Sequence, residues 1–186
     1  MKTIVFFLEE PSAREMLEGL LPRILPEDVT ARYLVFKGKQ DLEKNLAGKL
    51  RGWQAPNSVF LVMRDQDAGD CTVIKSRLKE LCRQAGKDGV VVRVACHELE
   101  SFYLGDLQAV ENALSVTGLA RHQETRKYRI PDHVGSPSME LDRLTKGVYQ
   151  KISGSRAIGH HLVPEQNRSH SFRVLVEGIR KLAVSS

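Results

Sequence analysis

The stretch Thr3-Ile4-Val5-Phe6-Phe7-Leu8, broken off at once by Glu9-Glu10-Pro11-Ser12, decides the fold. Unbroken apolarity rich in β-branched and aromatic residues reads as a strand buried on both faces, as in a parallel sheet covered by helices on each side. Pro11 opens a helix, because its missing N–H is not needed in a first turn. Met16, Leu17, Leu20, Leu21 and Ile24 give that helix an apolar face, and Pro22 predicts a kink or an early stop. The same alternation repeats down the chain. Val29 to Phe36 is a strand, Lys37-Gly38-Lys39 a turn, and Asp41 to Trp53 a helix with Leu42, Leu46 and Leu50 on one side. Ser58 to Met63 is a third strand, ending in Arg64-Asp65-Gln66-Asp67. Asp70 caps a helix from Cys71 to Ala85, which Gly86 ends. Val90 to Ala95 runs into Cys96-His97-Glu98-Leu99-Glu100, and a further helix covers Asp106 to Leu114. This order predicts an α/β fold, Rossmann-like, with a mostly parallel four-stranded sheet flanked by helices. After Val116 the pattern weakens. Gly135, Pro137 and the segment from Ser153 to Gly159 look like loops, whereas Leu141 to Ile152 and Phe172 to Leu182 look helical. The expected organisation is a core over 1–116 and a basic, mostly helical extension over 117–186 packed upon it.

With 186 residues, 41% hydrophobic and 27% charged, the composition is that of an ordinary globular domain and excludes a disordered tail, a fibre or a disulfide miniprotein. The longest apolar run, Ile4 to Leu8, is far short of the roughly 20 residues a membrane span needs. Cys71, Cys82 and Cys96 form no C-x-x-C pair, which points to reduced thiols and a cytoplasmic setting without membrane association. Charge is uneven along the chain. Residues 121–186 hold 12 of the 28 Lys and Arg and 6 of the 23 Asp and Glu, leaving 16 basic and 17 acidic residues before them. Five of the six histidines also fall in that last third. Such asymmetry suits a polyanionic partner such as nucleic acid, or equally a solvated surface with a positive bias.

Carboxylates gather where chemistry in such sheets takes place. Ligands of open α/β sheets collect at the carboxyl ends of the strands. Glu9 and Glu10 follow the first strand, Asp65 and Asp67 the third, Glu98 and Glu100 the fourth. Residues two apart on an extended chain point to the same side, so each Asp-x-Asp or Glu-x-Glu pair is expected to face one way. Converging carboxylates repel one another unless a cation sits among them or some are protonated. Hard oxygen ligands at this density suit Mg²⁺ or Mn²⁺. Acidic strand ends also serve as simple helix caps, the role expected of Asp70. An EF-hand starting at Asp65 fails, because Asp70 and Ser76 stand where Gly and Glu are required. No Walker A sequence, G-x-G-x-x-G fingerprint or G-x-S-x-G elbow is present.

The stretch Leu8-Glu9-Glu10-Pro11-Ser12, together with Asp65-Gln66-Asp67, resembles the Toprim domain of topoisomerases, primases, recombination-repair RecR proteins and OLD-family nucleases. Glu9 matches the family's strand-terminal glutamate, Glu10 stands in place of its usual glycine, and Asp65 and Asp67 match its Asp-x-Asp. More narrowly, Arg64 to Cys71 and His97 to Asp106 resemble a bacterial group of Toprim-like proteins encoded beside ABC- or AAA-class ATPases in phage-defence islands. The resemblance covers residues 3–115. It implies that Asp65 and Asp67 bind Mg²⁺ (or Mn²⁺), that Glu9 is a further ligand or the general acid/base, and that Glu98 and Glu100 extend the site to a second ion.

The expected activity is Mg²⁺-dependent hydrolysis of nucleic-acid phosphodiesters with an ATPase partner, in phage defence. The alternative is a non-catalytic nucleic-acid-binding subunit of an ATPase complex; an aspartyl-phosphate phosphatase is disfavoured by the lack of an Asp at the first strand end. Arg64 would pair with a phosphate or neutralise Asp67. Lys37 and Lys39 would touch the substrate backbone, and Lys146, Lys151, Arg156 and His160 supply further positive charge. Tyr103 and Tyr149 read as packing residues, and His97 as a proton shuttle or a hydrogen-bonded core histidine. The enzymatic reading requires Glu9 and Asp65 to meet in one pocket, and neither to be buried in a pairing with arginine.

Overall fold

The computed structural model describes residues 1–184; Ser185 and Ser186, the end of the expected extension, lie outside it. Its strands are β1 (Lys2–Leu8), β2 (Val29–Val35), β3 (Ser58–Asp65) and β4 (Val91–Ala95). They form one parallel sheet in the order β2-β1-β3-β4. The helices are α1 (Pro11–Leu20), α2 (Lys39–Arg51), α3 (Cys71–Gln84), α4 (Glu100–Leu104), α5 (Leu107–Leu114), α6 (Pro137–Thr145), α7 (Lys151–Gly159) and α8 (His170–Val184). The alternation read from the sequence is therefore the alternation found. Among the described residues no helix is long and apolar enough to cross a membrane.

The pleat divides the apolar run of β1 between two cores, as a strand covered on both faces requires. Val5 and Phe7 join Phe60 and Val62 of β3 under α2 and α3, where Leu42, Leu46, Leu50 and Leu78 are buried. Ile4, Phe6 and Leu8 join Leu61 and Met63 on the opposite face. That face is covered by α1 and by elements from the last third of the chain: Tyr128, Leu141, Tyr149, Ile158, Phe172 and Ile179 share its core with Met16 and Leu17. Helix α8 lies against β4, β3 and β1, so residues beyond 117 complete a layer of the sheet.

One local expectation holds and two are corrected. Helix α1 stops at Leu20 and Pro22 falls in a short 3₁₀ turn, the early stop foreseen. The single helix expected over Leu141 to Ile152 is instead two, because Lys146 and Gly147 both take left-handed φ values (53° and 79°) and end α6. The segment from Ser153 to Gly159 is not a loop but α7. Its glycines are there for contact rather than freedom: Gly154 packs against the Tyr149 ring, and Gly159 lies on the backbone of Met16 where α7 crosses α1.

Gly19 is the other half of that crossing. A Cβ on it would come within 2.6 Å of His160 N. Alanine in place of a mid-helix glycine ordinarily stabilises by up to about 1 kcal/mol. Here the sign is reversed: Gly19→Ala is expected to destabilise by about 2 kcal/mol, lowering the melting temperature in a thermal scan by roughly 4–8 °C. An unchanged or raised Tm would contradict the tight crossing.

Candidate active site

Strand order reverses between β1 and β3, and in open α/β sheets the crevice outside the carboxyl ends at that reversal is where ligands bind. Glu9 continues β1 by one residue: its N–H donates to Met63 O, and its carbonyl accepts from Gly38 N (3.0 Å). Asp65 is the last residue of β3. The Glu9 carboxylate accepts a hydrogen bond from Asp65 N at 3.0 Å, so the two predicted residues are joined through the Asp65 backbone.

Their side chains nevertheless belong to different faces. Phe60, Val62 and Arg64 of β3 point toward α2, whereas Leu61, Met63 and Asp65 point toward the opposite layer. Glu9 follows Phe7 onto the Arg64 face. Arg64 is only 5% exposed; its Nη1 binds Glu43 of α2 at 2.8 Å and its Nε donates to Asp65 O at 2.8 Å. Glu9 Oε2 lies 3.7 Å from Arg64 Nε, and Asp67 Oδ2 lies 3.6 Å from Nη2. Glu9 is thus partly neutralised by an arginine, over a longer distance than Arg64's own short bonds. Burial raises the Glu9 pKa, and the bond from Asp65 N and the charge of Arg64 hold that rise back.

Asp65 makes no ion pair among the described residues, although the charge of Lys151 acts on it as it does on Glu100. It is 8% exposed. Burial first, then the charges of Glu10, Glu100 and Glu9, push its carboxyl well above the ordinary 3.8. Glu100, 1% exposed at the start of α4, is likewise raised, by burial, while the ammonium of Lys151 counters it. One Glu100 oxygen accepts from the Tyr149 hydroxyl at 2.9 Å; the other, Oε2, is buried without a hydrogen-bond partner. Glu10 binds Lys151 Nζ at 2.7 Å and accepts from the Ser12 hydroxyl at 2.6 Å. Asp65, Glu10, Glu100 and Glu9 therefore form a concentrated negative site with one orphaned acceptor.

Several expected residues stand elsewhere. Asp67 does not face the same way as Asp65, because its φ of 53° turns the chain out of the strand; it is 39% exposed and pairs with Lys39 Nζ at 2.8 Å. The same holds after β4, where His97 (φ 58°) breaks the extension, so Glu98 and Glu100 diverge. Glu98 accepts from Ser138 N at 2.7 Å and tethers the first turn of α6. Arg64 is removed from the phosphate-binding candidates by its burial in ion pairs. Lys39, Lys151 and Arg156 are held by Asp67, Glu10 and Glu15. Lys37 is exposed, its backbone N–H bonded to Asp41 Oδ2 at 2.9 Å, and Lys146 is an exposed left-handed cap of α6. His97 is half-buried and lines a recess beside Asp67 rather than sitting in the core. Asp70 is the cap expected, accepting from Val73 N at 2.9 Å. Glu10 and Glu43 are the members that sequence reasoning passed over. Glu10 was visible as a carboxylate at a strand end but reads first as a replaced glycine; Glu43 carries no signal in an amphipathic helix.

Among the described residues no group of three or more His, Cys, Asp or Glu side chains is already drawn around a common point for an ion. The family model described as a domain of unknown function, DUF4276, matches residues 8–180. The chain belongs to the DUF4276 family. The matched range spans both the strand-end carboxylates and the helices that close over them, so the family unit is the whole fold and not the sheet alone. Among solved structures this DUF4276 chain is similar to the C-terminal region of the Burkholderia pseudomallei OLD protein, with a TM-score of 0.52 and 17% identity over 97% of this chain and 98% of that one. A second similarity, with a TM-score of 0.44 and 16% identity, is to the C-terminal region of the Xanthomonas campestris pv. campestris OLD protein, over 98% and 94% of the two chains. The first of these establishes the α/β architecture shared with the OLD region. No curated protein sequence matches the chain.

Proposed function

We propose that this DUF4276 protein is a Toprim-type phosphodiesterase that hydrolyses nucleic acid with Mg²⁺ or Mn²⁺. The observation that carries the reading is Asp65: a buried carboxylate without an ion pair, at the sheet's switch point, acted on by the charges of Glu10, Glu100 and Glu9. The chemistry of the donors suits a hard divalent ion, since all are carboxylate oxygens and Glu100 Oε2 is buried with nothing to bind. No three of them are gathered around one point among the described residues, so binding would have to draw them together. Asp65, Glu10 and Glu100 would hold it, with Glu9 at the edge. Bound there, the ion supplies Lewis-acid polarisation of the phosphate and a lowered pKa for the attacking water.

The chain's own groups do the rest. Glu9, its pKa raised by burial, takes the proton that the water loses as its oxygen bonds to phosphorus, and returns it to the oxygen that departs. Tyr149, by donating to one Glu100 oxygen, keeps the other turned to the site. Arg64 sets Glu9 by holding it against the end of β3. Lys151 balances Glu10 until cation and substrate arrive. An ATPase partner and phage defence belong to the same proposal and rest on the resemblance of the segments Arg64 to Cys71 and His97 to Asp106 to that group. A cytoplasmic setting belongs to it too and rests on the three cysteines without a C-x-x-C pair.

A second reading, a non-catalytic nucleic-acid-binding subunit of an ATPase complex, draws on the cations already paired with Glu9, Glu10 and Asp67. Supercoiled plasmid, single-stranded DNA and single-stranded RNA incubated with Mg²⁺, Mn²⁺ or EDTA decide between them. Cleavage with metal, absent with EDTA and lost in Glu9→Gln, is the result expected. Intact substrates in every arm, with a candidate ATPase partner also present, would overturn the enzymatic reading.

A further inference from the structure

Two recesses meet at Gly135. The smaller, about 370 Å³, is walled by Asp67, Ala68, His97 and Glu98, the residues that follow β3 and β4 just beyond Asp65 and Ala95. The larger, about 770 Å³, opens between residues 126–136 and helix α6, with Arg126, Lys127, His133, Met139 and Arg143 in its lining. Gly135 lines both, so one surface runs from Asp67 and Glu98, which stand two residues from Asp65 and Glu100 along the chain, into a basic cleft. The bond from Ser138 N to Glu98 couples the two, because it pins the first turn of α6 to the loop after β4.

The charge of the cleft is built rather than scattered. Glu140, 9% exposed, accepts from the Tyr128 hydroxyl and from Lys127 and Arg143. Burial works against its charge, yet those bonds hold its carboxyl at about 2, so it stays ionised at any working pH. It gathers two cations whose side chains remain 51% and 64% exposed. Arg126 adds a third, exposed and without an ion pair among the described residues. Three permanent cations thus face one carboxylate, in an open cleft that leads to a site for phosphodiester chemistry. A small anion would call for an enclosed pocket; an open basic track continuous with a hydrolytic centre matches a polyanionic chain.

We infer that the cleft between residues 126–136 and α6 seats the phosphodiester backbone of the nucleic-acid strand whose scissile group lies at Asp65, with Gly135 as the threshold between them. This rests on the phosphodiesterase reading above. It adds to Lys37, Lys39 and Arg156 a surface made of residues that the charge asymmetry of the sequence indicated only in bulk.

Binding is tested apart from cleavage, by fluorescence anisotropy of 5′-fluorescein-labelled oligonucleotides in EDTA, with single-stranded DNA, single-stranded RNA and duplex DNA as separate arms. Arg126→Glu is expected to weaken binding by about tenfold and to flatten the log K against log salt slope by about one, as loss of a phosphate contact does. Lys79→Glu, the same charge change on exposed α3 across the sheet, is expected to leave both unchanged. Gly135→Trp tests the threshold, since a Cβ there meets nothing within 4 Å and the variant is expected to fold. It should bind in EDTA and fail to cleave with Mg²⁺. Equal weakening by Arg126→Glu and Lys79→Glu, absence of binding in every arm, or full cleavage by Gly135→Trp would overturn the cleft. Metal-dependent cleavage with no effect of Arg126→Glu defeats this inference alone. The predicted binding pattern without cleavage by the wild type defeats the phosphodiesterase reading, and leaves the cleft as a binding surface.

Discussion

Asp65→Asn is expected to abolish metal-dependent cleavage while making the metal-free protein more resistant to heat. The first effect follows from removing a buried carboxylate that, like Glu100, has no ion pair among the described residues. Losing the ion's several kcal/mol of transition-state stabilisation lowers the rate by at least about a hundredfold. The second follows from linkage. Burial and the charges of Glu10, Glu100 and Glu9 raise the folded-state pKa of Asp65 well above 3.8. A carboxyl raised on folding binds its proton more tightly in the native state, so the stability it contributes is complete below the unfolded value and is lost as pH rises through the folded one. Glu9 and Glu100, also raised, act with the same sign. Without metal, Asp65→Asn should therefore exceed the wild-type Tm at pH 8, and the gap should close toward pH 4. Mg²⁺ at pH 8 should raise the wild-type Tm and leave that of Asp65→Asn unmoved. Scanning calorimetry across pH with and without Mg²⁺ reads all three. A destabilised Asp65→Asn at pH 8, or an equal Mg²⁺ shift in both proteins, would remove Asp65 from the metal site.

Arg64→Met is expected to unfold the protein more readily while leaving its hold on nucleic acid intact. Arg64 is 5% exposed and faces Glu43, Glu9 and Asp67. Taking away the cation of a buried ionic group costs about 3–5 kcal/mol, because the carboxylates stay buried without compensation. Arg77 still reaches Glu43 at 2.5 Å, which sets the loss at the lower end, about 3 kcal/mol, or roughly 6–12 °C in Tm for a chain of this size. Denaturant titration measures the stability, and anisotropy in EDTA the binding. A phosphate ligand would give the opposite pattern, a shallower salt slope with near-native stability, and that outcome would restore Arg64 to the substrate surface.

The two variants separate what could be read along the chain from what could not. Apolar runs at Ile4 to Leu8 and Ser58 to Met63, each followed by a helical period, specify a parallel sheet wherever they occur, since only strands covered on both sides are continuously apolar. Carboxylates at 9, 10, 65, 67, 98 and 100 then fall at strand ends by counting. Rules for extended chain stop working where φ becomes positive, at Asp67 and His97, and there Asp67 and Glu98 leave the expected cluster. Glycines in 153–159 carry the same letters whether they loosen a loop or let two helices touch. Their role in α7 is visible only beside Met16 and Tyr149.

Local order, strand ends and the stock of carboxylates were therefore legible in one dimension, because hydrophobic period and turn chemistry act between near neighbours. Which carboxylates share a face, which of them meets an arginine, and where positive charge forms a cleft depended on contacts far apart in the chain. Glu9 meets Arg64, Glu10 meets Lys151, and Glu140 gathers Lys127 and Arg143 only once the pleat of β3 and the packing of α6 and α7 have set those side chains in space. Electrostatic energy depends on distance and burial, and neither exists until the chain has closed on itself.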